Sequence, residues 1–231
     1  MQAIAKVHEI FTSVQGEGVF SGKRQIFIRF FGCQTGCAFC DTYQDPDSVK
    51  EYSSNDLLSA VHIKAMPKAV HSVSLTGGEP LLWVNFLKEF LPKLKQDEYK
   101  VYLETSGILY HALGKVIDYV DIIAMDIKLP SSTQKQAFWD EHSKFLSIAM
   151  KKQVFVKIIV TGKTTAADFS KAVLLISRKN PYIALVIQPV TPLEGVLPAS
   201  EVGLEQFKAI AMEHLYKVKI IPQMHKLYGI R

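Results

Sequence analysis

Apolar positions recur along this chain with two different periods. Short alternating or β-branched runs at 25–30, 72–76, 100–104, 121–126, 153–160, 183–188 and 217–221 predict strands. Between them, stripes at helical spacing predict helices over 55–64, 83–94, 110–116, 134–150, 166–178 and 205–215. Leu57, Leu58 and Val61 share one such face, and Phe169, Ala172, Val173 and Ile176 share another. His142 falls on the stripe of Phe138, Phe145 and Ala149 and reads as a partly buried core histidine. Strands alternating with helices of this length predict parallel βα units, hence an α/β fold. The opening segment departs from that rhythm. There Ile10-Phe11 and Val19-Phe20 flank Ser13-Val-Gln-Gly-Glu-Gly18, the pattern of a hairpin or glycine-supported loop. No repeat, low-complexity segment or linker interrupts the pattern, so residues 1–231 are expected to form a single domain.

The predicted strands end on polar groups. Cys33 follows the first and Thr76-Gly77-Gly78-Glu79-Pro80 the second. Glu104-Thr105-Ser106-Gly107 follows the third, Asp126-Ile127-Lys128 the fourth, and Gln188 ends a later one. In parallel α/β folds, functional groups collect at the carboxyl ends of strands. A purely structural protein has no reason to repeat such polar ends.

Composition narrows the classes. With 231 residues and 48% hydrophobic content, the chain can bury a large core and is not disordered. Its net charge of +5 is scattered, with no basic run beyond Lys151-Lys152, so no nucleic-acid partner is expected. The same charge suits an anionic small substrate or an acidic electron carrier. No apolar run approaches the roughly 18 residues of a membrane span, so no membrane partner is expected. Residues 1–6 lack the apolar stretch of a signal peptide, and a cytoplasmic location is the expectation.

All 3 cysteines lie in one loop, Cys33-Gln-Thr-Gly-Cys37-Ala-Phe-Cys40. That excludes a disulfide framework and points to metal or redox chemistry in a reducing compartment. Three thiolates can hold three irons of a 4Fe–4S cluster, which ordinarily takes four cysteines. The fourth iron then needs His, carboxylate, solvent or an exogenous ligand, and Gly32 and Gly36 allow the loop to wrap a cluster. Rival readings are a Cys₃His zinc site, a thioredoxin-like Cys37–Cys40 pair, and three structural thiols.

CxxxCxxC with Phe39 before the last cysteine, followed by Gly-Gly-Glu-Pro at a strand end, resembles the radical S-adenosylmethionine (SAM) superfamily. Several further segments are similar to the family of 7-carboxy-7-deazaguanine synthases within it: Glu9-Ile-Phe11, Ser13–Gly18, Phe27-Ile-Arg-Phe30, Cys40-Asp-Thr42 and Pro222-Gln-Met-His-Lys226. The resemblance implies an α/β partial (βα) barrel of the radical SAM type with an N-terminal hairpin or loop. It also implies a 4Fe–4S cluster, SAM and Mg²⁺ as cofactors, a usually homodimeric assembly, and an electron donor such as flavodoxin or ferredoxin. The implied reaction is ring contraction of 6-carboxy-5,6,7,8-tetrahydropterin with loss of ammonia, on the path to queuosine-type tRNA bases.

Site roles follow from the same resemblance. Cys33, Cys37 and Cys40 would ligate the cluster, and Thr42 would offer its hydroxyl to Mg²⁺, a hard cation that favours oxygen. Phe39, Cys40, Asp41, Gly78, Glu104, Ser106, Asp126, Ile127, Lys128 and Gln188 would surround SAM. Val14, Gln15, Gly16, Glu17, Arg29, Thr76 and His225 would meet the pterin. Amides and carboxylates suit a pterin edge, and the fork of Arg29 suits its carboxylate. Asp126-Ile127-Lys128 stands where many family members carry Ser-Pro-Lys, and is closer to glycyl-radical activating enzymes, the alternative reading. A non-catalytic zinc-binding module is a third. Arg231, five residues past Lys226, is assigned no role.

Overall fold

The computed structural model describes residues 3–42, 45–65 and 69–230, and Arg231 lies outside them. Strand β1 (Ile4–Val14) pairs antiparallel with β2 (Arg24–Phe30), and β3 (Lys50–Ser53) lies on the other side of β1. Helix α1 (Ser54–Ala65) leads to β4 (Ser72–Gly77), α2 (Val84–Gln96) to β5 (Val101–Thr105), and α3 (Tyr110–Val116) to β6 (Ile122–Asp126). Then come α4 (Pro130–Thr133), α5 (Trp139–Ala149), β7 (Gln153–Val160), α6 (Ala166–Lys179) and β8 (Ala184–Pro189). Helix α7 (Glu201–Met212), β9 (Val218–Ile220) and α8 (Met224–Leu227) finish the chain. Among the described residues nine strands form one open sheet in the order β3-β1-β2-β4-β5-β6-β7-β8-β9, parallel from β2 to β9.

Successive side chains of a strand face opposite sides, and this alternation divides the parallel strands. One face carries Ile26, Ile28, Val73, Leu75, Leu103, Ile123, Val156, Ile158, Leu185 and Ile187 into the large core shared with the helices. Fully burying each such side chain contributes roughly 1.5–3 kcal/mol. The other face is apolar at its base, where Tyr102, Ile122, Ala124, Phe155 and Val186 cluster with Phe20. Phe20 belongs to the β1–β2 loop, so the hairpin reaches over the inner face of β5 and β7. Further along the strands the inner positions turn polar: Arg29, Thr76, Glu104, Asp126, Lys157 and Gln188.

Several elements differ from the pattern-based expectation. The helix expected over 134–150 begins at Trp139, because Pro130 starts the short α4 and Gln134, at φ 57°, ends it in the left-handed region. The helix expected over 205–215 runs over Glu201–Met212 instead. Its cap, Ser200 accepting the Gly203 amide at 3.1 Å, lies ahead of the first apolar stripe residue. The opening segment is a hairpin with an 11-residue first strand, and β3 and α8 had no periodic signal of their own.

Candidate active site

The polar strand ends, the β1–β2 loop, the cysteine loop and the C-terminal tail enclose a cavity of about 650 Å³. Every residue assigned above to SAM, pterin or metal lines it except Ile127. The side chain of Ile127 is instead buried in the helix-side core, and its amide donates to the Lys157 carbonyl at 3.0 Å. Alternation explains this, since Asp126 faces inward and its neighbour must face outward.

The cysteine loop is held by backbone contacts. Gly32 and Gly36 take φ 92° and 56°, which only glycine adopts readily. The Gly78 amide donates to Phe30 O at 3.0 Å and the Glu79 amide to Gly32 O at 2.8 Å, so the Gly-Gly-Glu-Pro turn grips the root of the thiol loop. The Ala38 amide donates to Thr133 O at 3.0 Å, which gives the short α4 its purpose. Cys33 and Cys40 are exposed and Cys37 partly so, all on one wall. Among the described residues no three His, Cys, Asp or Glu side chains converge closely enough to hold a metal ion as they stand.

Glu79 was not among the expected site residues, yet it braces the site. It is fully buried and accepts from Leu81 N, Thr105 Oγ1, Ser106 N and Ser106 Oγ at 2.5–3.1 Å. Burial pushes its carboxyl above the usual range despite those donors. Ser106 Oγ also receives Gln34 Nε2 at 3.1 Å, tying the end of β5 to the cysteine loop. His142 is more than a core residue. Its Nδ1 lies 2.9 Å from Gly107 O and its Nε2 accepts the Lys128 amide at 3.0 Å, which fixes the neutral Nδ1–H tautomer. Burial brings its pKa down to about 4.

A line of linked charged groups crosses the cavity. Lys128 Nζ meets Asp126 at 2.7 Å, and Lys157 Nζ lies 3.5 Å from the other Asp126 oxygen and pairs with Glu17. Gln223 Nε2 bridges Glu17 at 2.8 Å and Asp41 at 3.0 Å, and Lys226 closes the line on Asp41. Burial alone would raise the Glu17 pKa, but Lys157 and Gln223 outweigh it and hold it at about 2. Burial likewise opposes the charge on Lys157, yet Asp126, Glu17 and Glu104 keep its pKa well above the usual lysine value. Neither Lys157 nor Gln223 was among the expected residues. A lone lysine within the apolar run 153–160 was the available signal for the first, and the Pro222–Lys226 tail for the second.

Beside this line, Gln15 Nε2 donates to Glu104 at 2.7 Å and to Gln25 at 3.0 Å, while Thr76 donates to Glu104 at 2.9 Å. Both amide hydrogens of Gln15 are thus engaged within the protein. Arg29 Nε meets Glu9 at 2.7 Å, and its guanidinium lies over Phe11. His225 packs so closely on Gly16 that a Cβ there would lie 2.3 Å from its Nδ1. Two buried acceptors on the inner wall, Asp126 Oδ1 and Gln188 Oε1, have no hydrogen-bond partner among the described residues.

The model of the Radical SAM superfamily matches residues 27–176. A protein of Geobacter sulfurreducens named 7-carboxy-7-deazaguanine synthase is 38% identical, covering 97% of each chain. The chain belongs to that family. A synthase of Archaeoglobus fulgidus is 31% identical over 98% of this chain and 99% of its own, and one of Methanothermobacter thermautotrophicus 30% over 98% of each. The crystal structure of QueE from Escherichia coli superposes with a TM-score of 0.66 at 20% identity, covering 96% of this chain and 95% of the other, which supports the fold.

Radical SAM membership implies a 4Fe–4S cluster and SAM. The donor set fits them: the three thiols line the same cavity as Asp126 and Gln188, and Gln188 Oε1 is a buried acceptor with no hydrogen-bond partner among the described residues. No helix among the described residues is long and apolar enough to cross a membrane.

Proposed function

We propose that the protein converts 6-carboxy-5,6,7,8-tetrahydropterin to 7-carboxy-7-deazaguanine with loss of ammonia. The observation that carries this reading is one cavity that joins the thiol loop, the Gly-Gly-Glu-Pro turn, the Ser13–Gly18 loop and the Pro222–Lys226 tail. A glycyl-radical activating enzyme shares the first two of these features and has no use for the loop and tail together.

Cys33, Cys37 and Cys40 would hold the cluster in this reading, and SAM would bind beside it. When bound, these groups supply the one-electron chemistry that removes a substrate hydrogen atom. Gly78, Glu104, Ser106, Asp126 and Gln188, which line the cavity, surround SAM in this reading. Arg29 receives the pterin carboxylate, in place of or alongside Glu9. Glu17, His225 and the backbone of Val14 and Gly16 face the pterin ring. Thr42 offers an oxygen to Mg²⁺. An acidic flavodoxin or ferredoxin acts as reductant, and a cytoplasmic homodimer is the working form.

The test is anaerobic incubation of reduced, cluster-reconstituted protein with SAM, Mg²⁺ and the tetrahydropterin. The expected product is 7-carboxy-7-deazaguanine. Slow 5′-deoxyadenosine release with no deazapurine at any Mg²⁺ concentration would overturn the reading.

A further inference from the structure

Lys157 lies in the middle of β7, and its side chain turns to the inner face between Phe155 and Ile159. It is buried, with 6% of its surface exposed. Burying a cation costs several kcal/mol of hydration, and an apolar residue of similar volume is often as stable or more so. Packing therefore does not account for a lysine here, but its partners do. Glu17 comes from the β1–β2 loop, 140 residues away in sequence, and Asp126 from the end of β6. Both line the cavity. The three carboxylates around Lys157, those of Glu17, Asp126 and Glu104, are supported unequally. Asp126 also has Lys128 at 2.7 Å, and Glu104 has Gln15 and Thr76. The only other hydrogen bond to the Glu17 carboxylate among the described residues is from the neutral amide of Gln223, with His225 contributing charge at longer range.

We propose that Lys157 is a positioning residue for the substrate: its ammonium holds the Glu17 carboxylate in place as the acceptor for the 2-amino and ring-amide N–H donors of the pterin, and ties it to Asp126. The ligand's identity rests on the function proposed above. A guanidine-like edge offers paired N–H donors, and a carboxylate with its charge retained accepts both. Without Lys157, Glu17 is a buried carboxylate with no cation in contact. Burial then favours its protonated form, which presents a donor where an acceptor is needed.

The test uses cluster-reconstituted protein with SAM bound, and two readouts. One is calorimetric binding of 6-carboxypterin, the oxidised and unreactive analogue. The other is KM and kcat for the tetrahydropterin. Lys157→Met and Glu17→Gln are each expected to weaken pterin binding at least 10-fold. Iron content should stay unchanged. The double variant is expected to bind no more weakly than the worse single variant, because both remove the same acceptor. Wild-type affinity in Lys157→Met, or losses that multiply in the double variant, would overturn the proposal. Should Lys157→Met lack a cooperative melt, Glu17→Gln alone decides, and unaltered affinity in that variant overturns it. A wild-type chain that neither binds nor converts the pterin overturns the proposed function itself, and this inference with it.

Discussion

His142 and Arg29 show how differently single charged or titratable groups act in this site. His142 is neutral and clamps the ends of β5 and β6 through Gly107 O and the Lys128 amide. Its folded pKa of about 4 lies below the unfolded value of about 6.5, so between these values the unfolded chain binds the extra proton. Stability is therefore unaffected by this group above about pH 6.5 and falls as the pH drops toward 4. The loss is expected to reach about 2 kcal/mol by pH 5. Urea unfolding at pH 7 and pH 5 checks it, and His142→Asn should remove most of the pH-dependent difference. Arg29 is partly exposed and shares its charge with Glu9 at the mouth of the cavity. Arg29→Ala is expected to raise the KM for the pterin by 10-fold or more while leaving the iron–sulfur absorbance intact. Loss of the cluster in that variant would make Arg29 structural.

Between elements, the decisive junction is that of β2, β4 and the cysteine loop. Gly77 has φ 115°, and a Cβ there would lie 2.3 Å from Phe30 O and 2.5 Å from Phe30 N. The neighbouring strand cannot move without shifting Gly32 and the thiols. Gly77→Ala is expected to lower the melting temperature sharply and to halve, or worse, the iron bound after reconstitution. Gly22 is the control. It has φ 91° but nothing within 4 Å of a Cβ, so Gly22→Ala should cost only the backbone strain, roughly 1–2 kcal/mol, with full iron loading. At this scale much was legible beforehand. Strand β7 runs over Gln153–Val160 and α3 over Tyr110–Val116, as their patterns predict. The missed boundaries are those where a cap or a proline turn outweighs periodicity, at Ser200 and at Pro130–Gln134.

Across the whole molecule, the tail closes the cavity. The Met224 amide donates to Gly16 O at 2.9 Å, Gln223 reaches Glu17 and Asp41, and Lys226 pairs with Asp41. These contacts join residues about 200 positions apart, at the two ends of an open sheet. Truncation after Ile221 is expected to leave a cooperative melt, a loaded cluster and slow SAM cleavage, while pterin binding is lost. An unchanged KM in the truncated chain would show that the tail is no part of the site.

The sequence by itself determined the α/β class, the strand-end placement of the polar groups and the family. Those properties are local: a period of two or 3.6, a CxxxCxxC spacing and a Gly-Gly turn are each written in a few adjacent residues. Only the tertiary structure decided that Glu79 ties the ends of β4 and β5, that His142 clamps those of β5 and β6, and that Lys157 joins the hairpin to β6. The physical reason is that burial sets the cost of a charge or polar group, and burial exists only once distant segments meet. Lys157 is an ordinary residue in the sequence, and becomes a buried ammonium facing Glu17 and Asp126 only when β7 is flanked by β6 and covered by the β1–β2 loop.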